Sequence, residues 1–222
     1  MRKEIVLTED GSHTLRVVEI DECYHSTHGA IQESTHIFID AGLKEFTPVD
    51  EIRVLEIGFG TGLNAFLTLL DAEKNKKNIH YTTIELYPLP ADEVLLLNYP
   101  ETLSEDRGLF EEIHRSPWGG DTEITSFFTL HKIKADFVGY KLQGLYDVIY
   151  FDAFSPEKQP EMWMEDGFCK IYEHSGDRAV ITTYCAKGVV RRAMQSAGFV
   201  MERLPGPPGK REILRGRKFI SG

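Results

Sequence analysis

The sequence predicts a doubly wound α/β fold, a mostly parallel sheet with helices on both faces. Three observations predict it. Apolar strands alternate with helical patterns from Arg53 onward, a glycine-rich turn follows the first of these strands, and 222 residues suit one domain with a small addition.

The elements follow in order. The first fifty residues are polar and turn-rich, with one strand in "HTLRVVEI" and, after "YHSTHGA", a helix near Ile31 to Ile39. Pro48 and Asp50 mark a boundary, which predicts an N-terminal extension over 1–50 and the main domain over 51–222. "RVLEIGFG" is an apolar strand running into glycines. In "LNAFLTLL", Leu63, Phe66, Leu67 and Leu70 fall at helical spacing. "IHYTTIEL" is the second strand and ends at Glu85; "PLPADEVLLLNY" reads as a helix. "FFTLHKIKAD", "YDVIYFD" and "RAVITTY" are strands three to five, and "KGVVRRAMQSAG" is a helix stopped by Gly198. "FVMERL" and "EILRGRKF", joined through "PGPPGK", form a closing hairpin, so the last strand runs antiparallel.

Composition bounds the function. Hydrophobic residues at 41% and charged residues at 27% describe a soluble globular chain. No apolar run nears the ~20 residues that cross a bilayer, and the first residues lack a secretory pattern. Cys23, Cys169 and Cys185 are far apart and odd in number, which points to reduced thiols, a cytoplasmic location and no zinc site. The net charge is −10, yet Lys187 to Gly222 carry nine Lys/Arg against two Asp/Glu, leaving the remainder at −17. Such a basic end could meet a polyanion or simply be a solvated rim.

In this fold a ligand binds beyond the strand ends where the strand order reverses, between the first and fourth strands. The first ends in "EIGFGTG", the fourth in Asp152. Gly58, Gly60 and Gly62 are spaced GxGxG. A dinucleotide fingerprint would place its third glycine at Leu63, and no Gly-Lys-Ser/Thr is present for a P-loop. The spacing, preceded by Glu56, instead suits S-adenosylmethionine, with Thr61 and Asn64 beside it. Glu85 is placed to accept from ribose hydroxyls and Asp136, at the third strand end, from an adenine amino group. Singly each acid reads as a surface or capping residue; together with the glycine loop they favour a cofactor. In "FDAFSPEKQPEMW", Asp152 could orient and deprotonate an amine and Phe154 could wall the pocket, while Trp163 reads as packing. His25, His28 and His36 show no ligand spacing and read as satisfied surface residues.

"LEIGFGTGLNAF", "FDAFSPEKQPEMW", "GKREILRG" and the segment "YHSTHGAIQESTHIFI" together resemble the methyltransferase domain of the MnmC family, the tRNA 5-methylaminomethyl-2-thiouridine biosynthesis proteins. The resemblance spans nearly the whole chain. It implies a Rossmann-like class I methyltransferase that N-methylates the 5-aminomethyl group of a wobble uridine. Gly58, Gly60, Gly62 and Glu85 would then hold the cofactor, and Asp152 would sit at the amine. The chain shows no second glycine fingerprint, so a stand-alone methyltransferase is expected, supplied by a separate oxidase or another aminomethylation route. Ser155 and Gln159 replace the family's Ala and Asn, which alters local substrate contacts. Ser155, Lys210 and Arg211 are candidates for the substrate side. An RNA contact along the basic end, with the anticodon stem-loop as partner, would weaken steeply with salt. The other readings are a class I methyltransferase or aminopropyl transferase acting on a small amine, and a non-catalytic module, which an intact glycine loop with Glu85 and Asp152 argues against.

Overall fold

The structure is a computed structural model and describes residues 2–46 and 51–219. An eight-stranded sheet forms its centre, built from β4 (Glu51–Ile57), β5 (Asn78–Glu85), β6 (Asp121–Thr125), β7 (Phe128–Lys134), β8 (Tyr146–Phe151), β9 (Ser175–Thr183), β10 (Val200–Pro205) and β11 (Glu212–Arg217). Its order is β10-β11-β9-β8-β4-β5-β7-β6. β4 pairs in parallel with both β5 and β8, so the reversal lies where the sequence places it. β11 runs antiparallel to β9 and β10, as the hairpin expectation requires.

Central strands are apolar on both faces because both are covered. Ile52 and Val54 pack with α2 (Leu63–Asn75) and α5 (Arg107–Arg115), whereas Leu55 and Ile57 pack with α6 (Glu165–Glu173) and α7 (Gly188–Ser196). A separate three-stranded sheet of β1 (Lys3–Leu7), β2 (His13–Val17) and β3 (Glu22–Cys23) precedes them. The expected boundary at Pro48–Asp50 lies outside the described residues.

Several elements differ from expectation. The helix near Ile31–Ile39 is α1 (Ala30–Ser34) continued by a wider π-helical segment, Thr35–Asp40. "PLPADEVLLLNY" breaks into α3 (Ala91–Val94) and α4 (Tyr99–Leu103). Pro100 has no N–H to carry the hydrogen-bond ladder of α3 onward and stands instead in the first turn of α4, and the Asn98 side chain is drawn to the small sheet. Its Oδ1 accepts from His13 N at 2.7 Å and its Nδ2 donates to Gly11 O at 2.9 Å. β6, α5 and α6 were not foreseen. Both helices are short, and β6 is a polar edge strand paired only with β7.

The C-terminal positive balance is largely neutralised locally. Arg215 and Arg217 pair with Glu45 and Glu202, Arg203 with Glu212, Lys187 with Glu157, and Lys210 with Glu33.

Candidate active site

The strand ends at the reversal are tied by main-chain hydrogen bonds: Gly58 N donates to Ile84 O at 3.0 Å and Asp152 N to Ile57 O at 2.9 Å. They open into a crevice of about 730 Å³, a size that suits a small organic ligand. Gly58 and Gly60 have φ of +95° and +50°, where residues with a Cβ are strained. A Cβ at Gly58 would stand 2.6 Å from the Asp152 carbonyl oxygen, and one at Gly60 2.9 Å from the Tyr24 ring. Bare backbone therefore forms this wall.

Glu85 is oriented by that backbone. Its Oε2 accepts from Gly60 N at 3.0 Å and its Oε1 from Tyr87 N at 2.8 Å. Each carboxylate oxygen can accept again. Asp136 also lines the crevice, its Oδ1 accepting from Val138 N at 2.9 Å.

Asp152 faces the crevice, and Asn64 Nδ2 donates to its Oδ2 at 2.8 Å. Burial pushes its carboxyl up to about 7, with the Asn64 hydrogen bond opposing. The following segment is pinned from three sides. Tyr184 OH donates to Ala153 O at 2.9 Å, Trp163 Nε1 to Phe154 O at 2.7 Å, and Tyr24 meets the Phe154 ring edge-on at 5.0 Å. Trp163 is buried packing, as read from the sequence.

Of the expected site residues, Gly58, Gly60, Thr61, Asn64, Glu85, Asp136, Asp152, Phe154 and Lys210 line one crevice. Four expected residues do not. Glu56 is 0% exposed and points beneath α2 with Ile52 and Val54. Burial pushes its carboxyl up to about 8, so it is neutral at pH 7. Thr83, Asn64 and Tyr81 face it, but without the alignment of a hydrogen bond, and the Glu56 oxygens, Tyr81 OH and Thr83 Oγ1 are left unpartnered. Gly62 is a turn against His114, whose Nε2 a Cβ would approach to 2.6 Å. Ser155 is spent on Glu22, donating from N and Oγ at 2.9 Å each. Arg211 is exposed and off the crevice wall, one residue past Lys210.

The sequence reading missed the residues that hold the glycine loop. His25 is buried rather than at the surface; its Nε2 bonds Thr61 Oγ1 at 2.8 Å. His114 Nε2 donates to Thr61 O at 3.1 Å. Burial holds both imidazoles down to about 4, hence neutral. Lys132 is buried behind them, donating to Ile113 O and His114 O at 2.8 Å each, which satisfies carbonyls at the end of α5. Nothing local marks the two histidines, since each acts across more than fifteen positions of chain. Lys132 alone leaves a signal, a charge at a position of β7 between apolar Leu130 and Phe128 on one side and Lys134 on the other.

Comparison with known proteins agrees with this geometry. The sequence model of a family described as S-adenosyl-L-methionine-dependent methyltransferase matches residues 127–219. The tRNA 5-methylaminomethyl-2-thiouridine biosynthesis bifunctional protein MnmC of Aeromonas hydrophila is 31% identical over 90% of this chain and 33% of its own length. Its counterpart in Pseudomonas fluorescens is 32% identical over 88% and 32%. The chain thus spans about a third of the curated relatives it matches. Among solved structures, MnmC2 from Aquifex aeolicus superposes with a TM-score of 0.78 at 26% identity, over 97% of this chain and 70% of that one. Spermidine synthase from Thermotoga maritima, at 0.68 and 14% identity over 99% and 70%, shares the fold alone.

Fold and crevice define a class I S-adenosylmethionine-dependent methyltransferase. Within that class its relatives are MnmC proteins, and the chain matches their methyltransferase part.

Proposed function

We propose that this chain N-methylates the 5-aminomethyl group of (2-thio)uridine at the wobble position of tRNA, giving 5-methylaminomethyl-(2-thio)uridine. The observation that carries the reading is Asp152, a partly buried carboxylate facing the crevice beside the glycine loop, in a chain aligned almost end to end with MnmC relatives. In this reading residues 1–50 are an extension to a methyltransferase domain over 51–222. The substrate arrives from a separate oxidase or aminomethylation route, and the enzyme works in the cytoplasm. Among the described residues no helix is long and apolar enough to cross a membrane.

The crevice fits S-adenosylmethionine. Gly58 and Gly60 offer backbone where a Cβ cannot go, Glu85 presents a fixed carboxylate to ribose hydroxyls, and Asp136 can accept from an adenine amino group. When bound, the cofactor supplies an electrophilic methyl group. Asp152 then has two tasks. Its carboxylate orients the acceptor amine and takes a proton from the ammonium, freeing the nitrogen lone pair for attack. Asn64 fixes its rotamer, and Phe154 forms an apolar wall that keeps water away.

The reading is tested by supplying methyl-labelled cofactor with tRNA from cells that accumulate the aminomethyl nucleoside. Label is expected in RNA and, after digestion, in the methylaminomethyl nucleoside. Label confined to free polyamine would overturn it. Glu85→Gln separates cofactor binding from chemistry. It is expected to weaken cofactor affinity about tenfold or more, because the amide nitrogen cannot accept from the backbone N–H it faces, Gly60 or Tyr87, and the remaining bonds lose their charge, with saturating turnover changed less. Calorimetry beside kinetics at saturating cofactor checks this.

A further inference from the structure

Thr61 carries the one polar side chain of the glycine loop, and it is held from two sides. His25 Nε2 and Thr61 Oγ1 share a hydrogen bond of 2.8 Å, while His114 Nε2 donates to Thr61 O at 3.1 Å. His25 belongs to the N-terminal segment and His114 to α5, so the loop is gripped by elements 36 and 53 positions away in sequence. His25 is itself fixed. Its N donates to Thr14 Oγ1 of β2 at 3.0 Å, and its ring meets Tyr99 edge-on at 6.3 Å. The Tyr99 hydroxyl faces Thr61 but makes no hydrogen bond, so the imidazole alone holds the threonine hydroxyl. Tyr24 continues the wall, its ring against Gly60, and Tyr24, His25 and Thr61 all line the crevice.

A turn with three glycines needs such pins. Gly58, Gly60 and Gly62 all have positive φ, and glycine loses more conformational freedom on ordering than any other residue. Phe59 contributes ring contacts with His114 and Trp118 but no polar side-chain atom. The Thr61 hydroxyl is therefore the side-chain anchor, and at 1% exposure it has no solvent to replace the imidazole. A loop without that anchor would have to be ordered by the cofactor as it binds, at the expense of affinity. We infer that His25 is a positioning residue for the cofactor: through the Thr61 hydroxyl it fixes the glycine loop, which makes the N-terminal segment an integral part of the donor half of the site. This rests on the cofactor of the class and not on the identity of the acceptor.

His25→Leu fills the space without a polar atom, whereas His25→Gln can place an amide where Nε2 stands. The full chain is titrated calorimetrically with S-adenosylhomocysteine. H25L and T61V are each expected to weaken binding about tenfold. The H25L/T61V double variant should be no weaker than the worse single one, against about a hundredfold for independent losses. H25Q should stay within threefold of the native affinity. Asn98→Ala loosens the same small sheet at His13 and Gly11 and separates positioning from general stability: it should lower the melting temperature and leave affinity within twofold. Native affinity in H25L, additive losses in the double variant, H25Q as weak as H25L, or an equal loss in N98A overturns the inference. Should H25L fail to fold by circular dichroism, His25→Asn, whose amide stops short of Thr61, takes its place under the same criteria. Native protein that transfers no methyl to RNA would sink the functional reading, while these affinities still decide the role of His25.

Discussion

Asp152→Asn is expected to lower methyl transfer by two to three orders of magnitude, with cofactor affinity held within a few-fold. The asparagine keeps the size of the side chain and can still meet Asn64, so the local packing survives. It cannot take a proton. Positioned proton transfer contributes typically ~10²–10⁴-fold, and poorer alignment of the nitrogen adds to the loss. The pH profile supplies a second check. The carboxylate is the working form and burial lifts its pKa to about 7, so kcat/KM should fall as pH drops below about 7, approaching tenfold per unit. That limb should vanish in the asparagine variant. Retention of full activity by D152N would remove Asp152 from the chemistry.

Gly58→Ala is the second substitution with a large expected effect, and its signature is the reverse. A Cβ there would lie 2.6 Å from the Asp152 carbonyl oxygen, which is backbone and cannot swing aside, at a φ of +95°. The left-handed backbone alone costs about 1–2 kcal/mol, and the collision pushes apart the ends of β4 and β8. Cofactor affinity should fall by two orders of magnitude or more, and the melting temperature by several degrees, of order 2–4 °C per kcal/mol for a chain of this size. Calorimetric titration and thermal unfolding of the variant measure both. Wild-type affinity in G58A would mean that the cofactor does not lie against this turn.

Much of the central sheet is legible in the sequence because local patterning and global topology agree there. "RVLEIGFG" and "YDVIYFD" are apolar on both faces, which only a doubly covered strand needs, and their polar ends then fall at the same edge. Asp152 and Glu85 are legible for the same reason, since a carboxylate at a strand mouth departs from the apolar run before it. Glu56 shows the limit of that logic. It lies one residue inside the strand, where side chains alternate between faces, and alternation buries it under α2 rather than in the crevice. The inner wall was harder still. Tyr24, His25 and Glu33 reach the crevice only because the two ends of the chain fold across it, with the ring of His28 touching Gly209. No spacing rule links residues so distant in sequence. The broken helix at Asn98 and Pro100 belongs to the same group, because a contact with the small N-terminal sheet outweighs the helical pattern.

The ion pairs of the closing hairpin bear on how a polyanion would reach this surface. Five of the nine cations beyond residue 186 already face a carboxylate, and the molecule as a whole carries −10. Little long-range attraction is left to draw a nucleic acid inward from bulk solvent. Encounter with a nucleic acid would therefore depend on close steric fit more than on diffusional guidance, and its sensitivity to ionic strength would be shallower than a tally of lysines and arginines suggests.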